Sequence, residues 1–572
     1  MSNNELLVET TYGPVLGFKD TNPLSQHSTA TSATGDRKPI NKWLGIPYAQ
    51  AARFERPSPP STWTEPKKCH EFGTMFPQPA GMTEQLLSKL PGFVMRSHIE
   101  QSEDSHFVNV FTPGDMTSDE KLPVMVFIYG GALNTGSSDR FFYDPTTLLR
   151  SQSSPSERCI IVTGNYRVNV FGFCASEELS KEDKEGLSGN YGLYDAVKIF
   201  EWVQANIEAF GGDKDQVTAF GQSAGAFLIS YLLVSGKKLF NRAILQSGAQ
   251  KTMGMRPASR AYPALPSILS SLSSSSTSSY SSPSSSPTSL LRTASTSTLL
   301  SLHTSNHSLE SVSLTIEPPT SSSSIWTPST IERLEKGEID PWIESIVLGT
   351  TEDEGTVFAY GAKLSHPENF NKWISRFSND TREKVTKKYL GGFEGGKHPE
   401  EGKCGLKELP GSKVLADQIF VNPVWDLAKS VATQGQGASE GKKVWLYRLR
   451  TGVSRILDNS PLPFGIMHSM DLPFIFNCAS LWSEDDNSSD AKTAKAMGSR
   501  WLRYGVTGQP DQEWKPFDPS PEEASWFVFE ESGKVGNESL KEFEREKVEL
   551  VVVEQEKKGE EGDQVLGTTK AE

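Results

Sequence analysis

The chain has 572 residues, with 57 Lys and Arg against 71 Asp and Glu, a formal charge of −14. That acidic balance argues against nucleic acid and anionic membrane surfaces as main partners. No run reaches the ~18 apolar residues of a membrane span, and the opening MSNNELLVETTYGPV lacks the basic and apolar regions of a secretory leader.

Residues 1–60 read as strand-poor and loop-rich, with TYGPVLGF and WLGIPYAQ as ordered islands around a polar insertion at 22–38. Residues 106–113 (HFVNVFTP) alternate as a strand does. Residues 122–129 (LPVMVFIY) form an almost unbroken apolar run ending at Gly130-Gly131, the pattern of a strand buried on both faces of a parallel sheet, and 158–173 repeat it. Over 192–209, Val197, Phe200, Val203 and Ile207 recur at helical spacing. Strands follow at 217–220 and within 239–247. Such alternation of strand and helix implies parallel βαβ units, an α/β architecture.

Residues 267–324 are dominated by serine (SSLSSSSTSSYSSPSSSPTS). This composition buries too little apolar surface to offset its ordering entropy, which predicts a mostly disordered surface insertion. Pattern resumes at Ile325, and 344–350 (ESIVLGT) reads as a further core strand. Near the carboxyl end, EFEREKVELVVVEQEKK has the look of an amphipathic helix running into a frayed, charged tail.

The most informative segment is VTAFGQSAGA at 217–226. It is an apolar strand, then Gly221-Gln222-Ser223-Ala224-Gly225, then an apolar helical stretch. A G-x-S-x-G sequence between strand and helix puts the serine on a sharp, strained turn with its hydroxyl exposed and helix N–H groups behind it. Ser223 is therefore the candidate nucleophile. A serine hydroxyl needs a base, and the base needs a carboxylate to fix its tautomer. Among the nine histidines, His366, His398 and His468 follow the first plausible acid. His366 lies in a polar stretch and His398 in GGKHPEEGK, read as an exposed loop. His468 interrupts two apolar runs in PFGIMHSMDLPFIF, the placement a shielded base wants. For the acid, IVLGT leads into Thr351-Glu352-Asp353-Glu354-Gly355, at a strand's carboxyl end where chemistry gathers in open α/β sheets. The residues alone do not choose among Glu352, Asp353 and Glu354. Backbone donors for an oxyanion are expected at Ala224 and, after the run LPVMVFI, at Gly131 and Ala132.

These residues resemble the type-B carboxylesterase/cholinesterase family of α/β hydrolases across nearly the whole chain. Thr11-Tyr12-Gly13-Pro14-Val15-Leu16-Gly17, WLGIPYAQAARF, SEDSHFVNV, NYRVNVFGF, GNYGLYDA and EWVQANIEAFGGDKDQVTAFGQSAGA all follow its pattern. The resemblance implies one α/β-hydrolase domain over 1–545 with a large, mostly parallel sheet, the serine-rich insertion 267–324 inside it and a charged tail 546–572. It selects Glu354 of the D-E-G tripeptide as the acid and His468 of G-x-x-H-x-x-D-L-P-F-x-F as the base. It maps the oxyanion hole to Gly131, Ala132 and Ala224, and a fold-stabilising ion pair to Arg53 and Glu103. The activity it implies is hydrolysis of small-molecule carboxylic esters through an acyl-enzyme, with no cofactor and no metal. A non-catalytic binding protein of this family, and an acyltransferase or an amide or lactone hydrolase using the same triad, are the alternatives.

Departures from the pattern carry their own expectations. The family's first disulfide is replaced at both ends, by Phe76 and Ser105. Together with five scattered cysteines and no C-x-x-C pair, this points to a cytoplasmic protein with free thiols. Ala132 stands where a third glycine is usual, which costs on the order of 1 kcal/mol if φ there is positive. Gln222 replaces a glutamate and so removes a negative charge beside the base. PGFVMRSHIEQSED has no counterpart of the choline-binding tryptophan, and the serine-rich stretch falls where relatives build helices over the site.

Overall fold

The computed structural model describes residues 5–21, 38–81, 100–139, 143–275, 286–306, 312–399, 405–434, 442–460, 462–478, 481, 487–520, 522–541, 547–548 and 550. Among these, a thirteen-stranded sheet organises the chain. Its strands are β1 (Glu5–Thr10), β2 (Gly13–Asp20), β3 (Ile40–Pro47), β4 (Phe107–Pro113), β5 (Leu122–Ile128), β6 (Ile160–Gly164), β7 (Gly212–Gln222), β8 (Arg242–Gln246), β9 (Ser345–Thr351), β10 (Lys443–Leu449), β11 (Ser525–Phe529) and β12 (Val535–Ser539). The two-residue strand Lys67–Lys68 pairs with β2. The strands lie side by side in sequence order except that β6 sits between β4 and β5.

From β6 to β11 every pairing is parallel, and β5, β6, β8 and β9 are buried at every residue. Both faces are covered by helices, which is why these strands read as continuous apolar runs rather than alternating ones. On one side of β5 lies a strand that follows it in sequence, and on the other lies β7. The crevice beyond the carboxyl ends of β5 and β7 is therefore a topological switch point, where open α/β sheets place their ligands. Register puts Ile128 beside Gly221, Gln222 beside Gln246 and Gln246 beside Gly349. The loops leaving these strands thus start at one level.

The helices include α1 (Tyr191–Asn206), α2 (Ala224–Leu232), α3 (Leu265–Ser275), α4 (Pro287–Thr293), α5 (Thr296–Ser305), α6 (Thr356–Gly361) and α7 (Ser489–Thr507). α2 is buried at every position and lies behind the Ser223 turn. No helix among the described residues is long and apolar enough to cross a membrane.

Three expectations from composition are corrected. Residues 1–60 are not strand-poor: β1, β2 and β3 form an antiparallel edge. Their sequences hide this because that edge is only partly covered and lacks a clean alternation. Much of 267–324 is helical. Ser286 and Ser295 accept bonds from the N–H groups of Ser289 (3.2 Å) and Thr298 (3.0 Å), so serine starts α4 and α5 as an N-cap. Leu291, Leu299 and His303 are then buried against the main core, and each buried Leu contributes about 1.5–3 kcal/mol. Residues 276–285 and 307–311 lie outside the described residues. Finally, Val548 and Leu550 are non-helical and buried against Phe370, Val385 and Tyr389, and Gln418 Nε2 donates to Val548 O at 2.8 Å. The chain past 546 is packed at these positions rather than a free tail, and 551–572 lie outside the described residues.

The Arg53–Glu103 pair forms, with Arg53 Nε 2.9 Å from Glu103 Oε2. Arg53 also donates to the carbonyls of Leu291 (3.0 Å) and Ala294 (2.7 Å) at the carboxyl end of α4, and Thr296 Oγ1 donates to Glu103 Oε1. The pair therefore fastens the serine-rich helices to the sheet domain, a role its motif did not disclose.

Candidate active site

Ser223 sits between β7 and α2 with φ 57° and ψ −124°, a region that costs a non-glycine residue about 1–3 kcal/mol. The surrounding structure holds it there. Ser223 N–H donates to Gln246 O at 2.7 Å, and Ser223 O accepts from Phe227 N at 2.9 Å. The elbow also presses against β5. A Cβ on Gly221 or Gly225 would lie 2.7 Å or 2.0 Å from Ile128 O, so both flanking positions need glycine.

β5 leads into the turn Gly130–Leu133. Gly131, Ala132 and Leu133 have φ of 127°, 54° and 59°. Ala132 thus occupies the left-handed region, at a cost of about 1 kcal/mol relative to glycine. Gly131 O accepts from Asn134 N (2.9 Å) and Thr135 N (3.1 Å). Two residues missed in the sequence brace this turn. Gln78 donates to Gly136 O (2.8 Å) and accepts from Gly136 N (2.6 Å). Asn169 Nδ2 reaches Asn134 O at 3.1 Å, and its N–H reaches Leu133 O at 2.6 Å. Asn169 stands inside the NYRVNVFGF block, and Gln78 two residues after Phe76, but neither pattern discloses the bracing role. A Cβ on Gly130 would lie 2.8 Å from Ser223 Cβ, so the turn abuts the serine. Ala224 is the first residue of α2, and its N–H precedes the intrahelical ladder.

The three carboxylates after β9 leave the chain in three directions. Glu352 pairs with Arg448 (2.7 Å) and Arg450 (3.1 Å). Asp353 turns to the backbone of the His468 loop, accepting from Ile466 N at 2.8 Å. Glu354 is fully buried, and its Oε2 lies 2.5 Å from His468 Nδ1. Its Oε1 accepts from Ser247 Oγ (2.5 Å) and Thr351 N (2.7 Å). The imidazole is packed against Phe420 and Phe358, with centroids 4.5 Å and 5.1 Å away.

His468 Nε2 has the Gln222 side-chain nitrogen at 3.2 Å; among the described residues it makes no bond to the Ser223 hydroxyl. Behind the pair lies Asp471, which accepts from Gln246 Nε2 and Tyr447 OH, both at 2.9 Å. Burial pushes its carboxyl above the usual range, and the Glu354 charge adds to this against the bond from Gln246. Ser247 and Asp471 were not singled out in the sequence; only their place after a core strand and inside the His468 motif was available as a signal.

The other histidines are elsewhere. His366 precedes the helix Pro367–Ile374. His398 is buried against Phe370, with centroids 5.0 Å apart, which corrects its reading as exposed.

A mostly parallel sheet flanked by helices, a serine on a strand–helix elbow and a histidine bonded to a buried glutamate beyond the strand ends together define an α/β hydrolase. Comparison with known proteins narrows this. The chain belongs to the carboxylesterase family, whose model matches residues 4–547. It is similar to the para-nitrobenzyl esterase of Bacillus subtilis (strain 168), 39% identical over 226 residues, 38% of this chain and 42% of that one. It is also similar to the fumonisin B1 esterase of Sphingopyxis macrogoltabida, 36% identical over 242 residues, 41% of each chain. The aligned stretch thus spans about two fifths of these relatives' length. In three dimensions the chain is similar to a thermophilic PNB esterase, with a TM-score of 0.68 and 25% identity over 94% of this chain and 99% of that one.

Proposed function

We propose that this protein is a serine hydrolase that cleaves small-molecule carboxylic esters through an acyl-enzyme. The observation that carries the reading is the bond at 2.5 Å between the fully buried Glu354 and the partly buried His468, beside a serine held on a strained elbow. Glu354 fixes the proton of His468 on Nδ1, which leaves Nε2 as the acceptor. As substrate enters, Nε2 exchanges the Gln222 amide for the Ser223 hydroxyl and takes its proton while Oγ attacks the ester carbonyl. The N–H groups of Gly131, Ala132 and Ala224 hold the oxyanion. His468 then protonates the leaving alcohol, and water repeats the sequence to release the acid.

A reducing, cytoplasmic setting fits the same reading. Cys69, Cys159 and Cys174 are buried free thiols. Burial pushes Cys69 up to about 12, far from the reactive thiolate range. Phe76 packs edge-on against His106, and Ser105 bonds to Thr74 at 2.7 Å, where the family carries a disulfide.

Labelling with a fluorophosphonate, alongside p-nitrophenyl acetate and butyrate turnover, tests the assignment. The wild type labels and turns over, while Ser223→Ala and His468→Ala lose about 10⁴-fold or more of turnover. Near-wild-type activity in either variant would refute the nucleophile and base roles of Ser223 and His468.

A further inference from the structure

Resting on that reading of His468, we propose that Asp353 is a positioning residue: its carboxylate grips the backbone of the base loop and sets where the imidazole stands over Ser223. The loop that carries His468 has no regular structure of its own. It is bracketed by two left-handed residues, Gly465 at φ 71° and Ser469 at φ 70°. Between them, Asp353 supplies two backbone bonds. Its N–H donates to Ile466 O at 3.0 Å, and its Oδ2 accepts from Ile466 N at 2.8 Å. A parallel bridge joins Asp353 to Met467, the residue before the histidine.

Two consecutive residues on the acid turn therefore hold two points of the base loop. Glu354 takes the imidazole nitrogen, and Asp353 takes the main chain two residues earlier. The aromatic rings of Phe358 and Phe420 contact the imidazole itself, whereas Asp353 holds the main chain that carries it. Gly465 makes the grip possible. A Cβ there would lie 2.2 Å from Asp353 Oδ2, closer than atoms approach. Burial, with the Glu352 charge adding, raises the Asp353 carboxyl against the bond from Ile466. A group merely solvated in a charge run would carry no such desolvation.

Asp353 touches neither substrate nor imidazole, so its effect runs entirely through geometry. A displacement near 1 Å of a reacting group costs about 10²-fold. Asp353→Ala, which deletes the acceptor, is expected to lower kcat on p-nitrophenyl butyrate about 10–100-fold, with KM within about 2-fold. Fluorophosphonate labelling should slow by the same factor. Asp353→Asn keeps an oxygen acceptor and is expected to stay within about 3-fold of wild type. Glu352→Gln, next door but paired to arginines, serves as the control.

Gly465→Ala attacks the same contact from the other side and keeps the test alive if Asp353→Ala fails to fold. In the double variant Asp353→Ala/Gly465→Ala the clash with the carboxylate is gone and only the left-handed strain at 465 remains, so the two losses should be less than multiplicative. Wild-type kcat in Asp353→Ala, an equal loss in Asp353→Asn, or multiplicative losses would each overturn the proposal. Labelling that survives in Ser223→Ala would instead refute the underlying reading of the site, and so separates the two failures.

Discussion

Glu354→Gln is the change whose consequence follows most directly from the hydrogen bonds. Glu354 meets three donors with two oxygens: Ser247 Oγ and Thr351 N on Oε1, and His468 Nδ1 on Oε2. Glutamine brings one oxygen and one NH₂. If the oxygen stays with Ser247 and Thr351, the NH₂ faces Nδ1. The ring proton then moves to Nε2, which can no longer accept from serine. If the amide flips, the tautomer survives but the buried Thr351 N–H faces another donor, at about 1–3 kcal/mol of stability. Even then the negative charge beside the imidazolium of the transition state is gone. At about 4 Å and an effective dielectric near 20 that charge is worth about 4 kcal/mol, or about 10³-fold in rate at 1.36 kcal/mol per decade. The expected result is a kcat about 10³–10⁴-fold below wild type on p-nitrophenyl butyrate. Glu352→Gln, whose carboxylate faces Arg448 and Arg450, should stay within about 3-fold. A Glu354→Gln enzyme above a tenth of wild-type kcat, or equal losses at 352 and 354, would refute the argument.

Gln222→Glu places a carboxylate where the amide now stands, 3.2 Å from His468 Nε2. It favours the imidazolium, so the acid limb of kcat/KM should move to higher pH by about 1–3 units; an unmoved limb would mean the side chain does not face the ring in solution. The clamp on the serine-rich helices should release in acid. Burial of Glu103 works against its charge, but the bonds from Arg53 and Thr296 and the Arg53 charge outweigh it, and its carboxyl lies below the ordinary 4.5. A lowered value means the stabilisation is present above the ordinary carboxylate range and is lost as pH falls through the lowered one. Hydrogen exchange at 286–306 should therefore rise below about pH 4 before the central strands lose protection; loss in step with the whole sheet would contradict this.

What could be read from the residues follows from how each is buried. β5 and β9 were legible because strands covered on both faces announce themselves as apolar runs, and Ser223 because its turn tolerates so few sequences. The antiparallel edge β1–β3 was not, although β1 and β2 are joined by a two-residue turn, since a half-covered edge tolerates any residue on its open face and shows no clean alternation. Composition misjudged α4 and α5. Serine lowers helix propensity in the interior, yet at Ser286 and Ser295 it caps, and one fully buried leucine in each helix, Leu291 and Leu299, anchors its inner face. The choice among Glu352, Asp353 and Glu354 stayed open from the residues because it depends on the direction each side chain leaves a turn. Only the family's pattern broke the tie. The braces Gln78, Asn169, Ser247 and Asp471 act across long separations; Asn169 and Asp471 stand inside quoted motifs, but a motif names a residue without naming its distant partner.

The order of the strands also sets a timetable. In a chain growing from its amino end, β1 to β8 can associate once Gln246 is available, but the outer side of β8 waits for Ser345, roughly 100 residues later, before β9 covers it. At about 5–20 residues per second that wait lasts about 5–20 s. Throughout it, RAILQ, a strand fully interior in the finished molecule, is a bare edge able to pair with a neighbouring nascent chain. Yield during expression should thus be governed by ribosome pace over the serine-rich stretch and by chaperone supply at that moment.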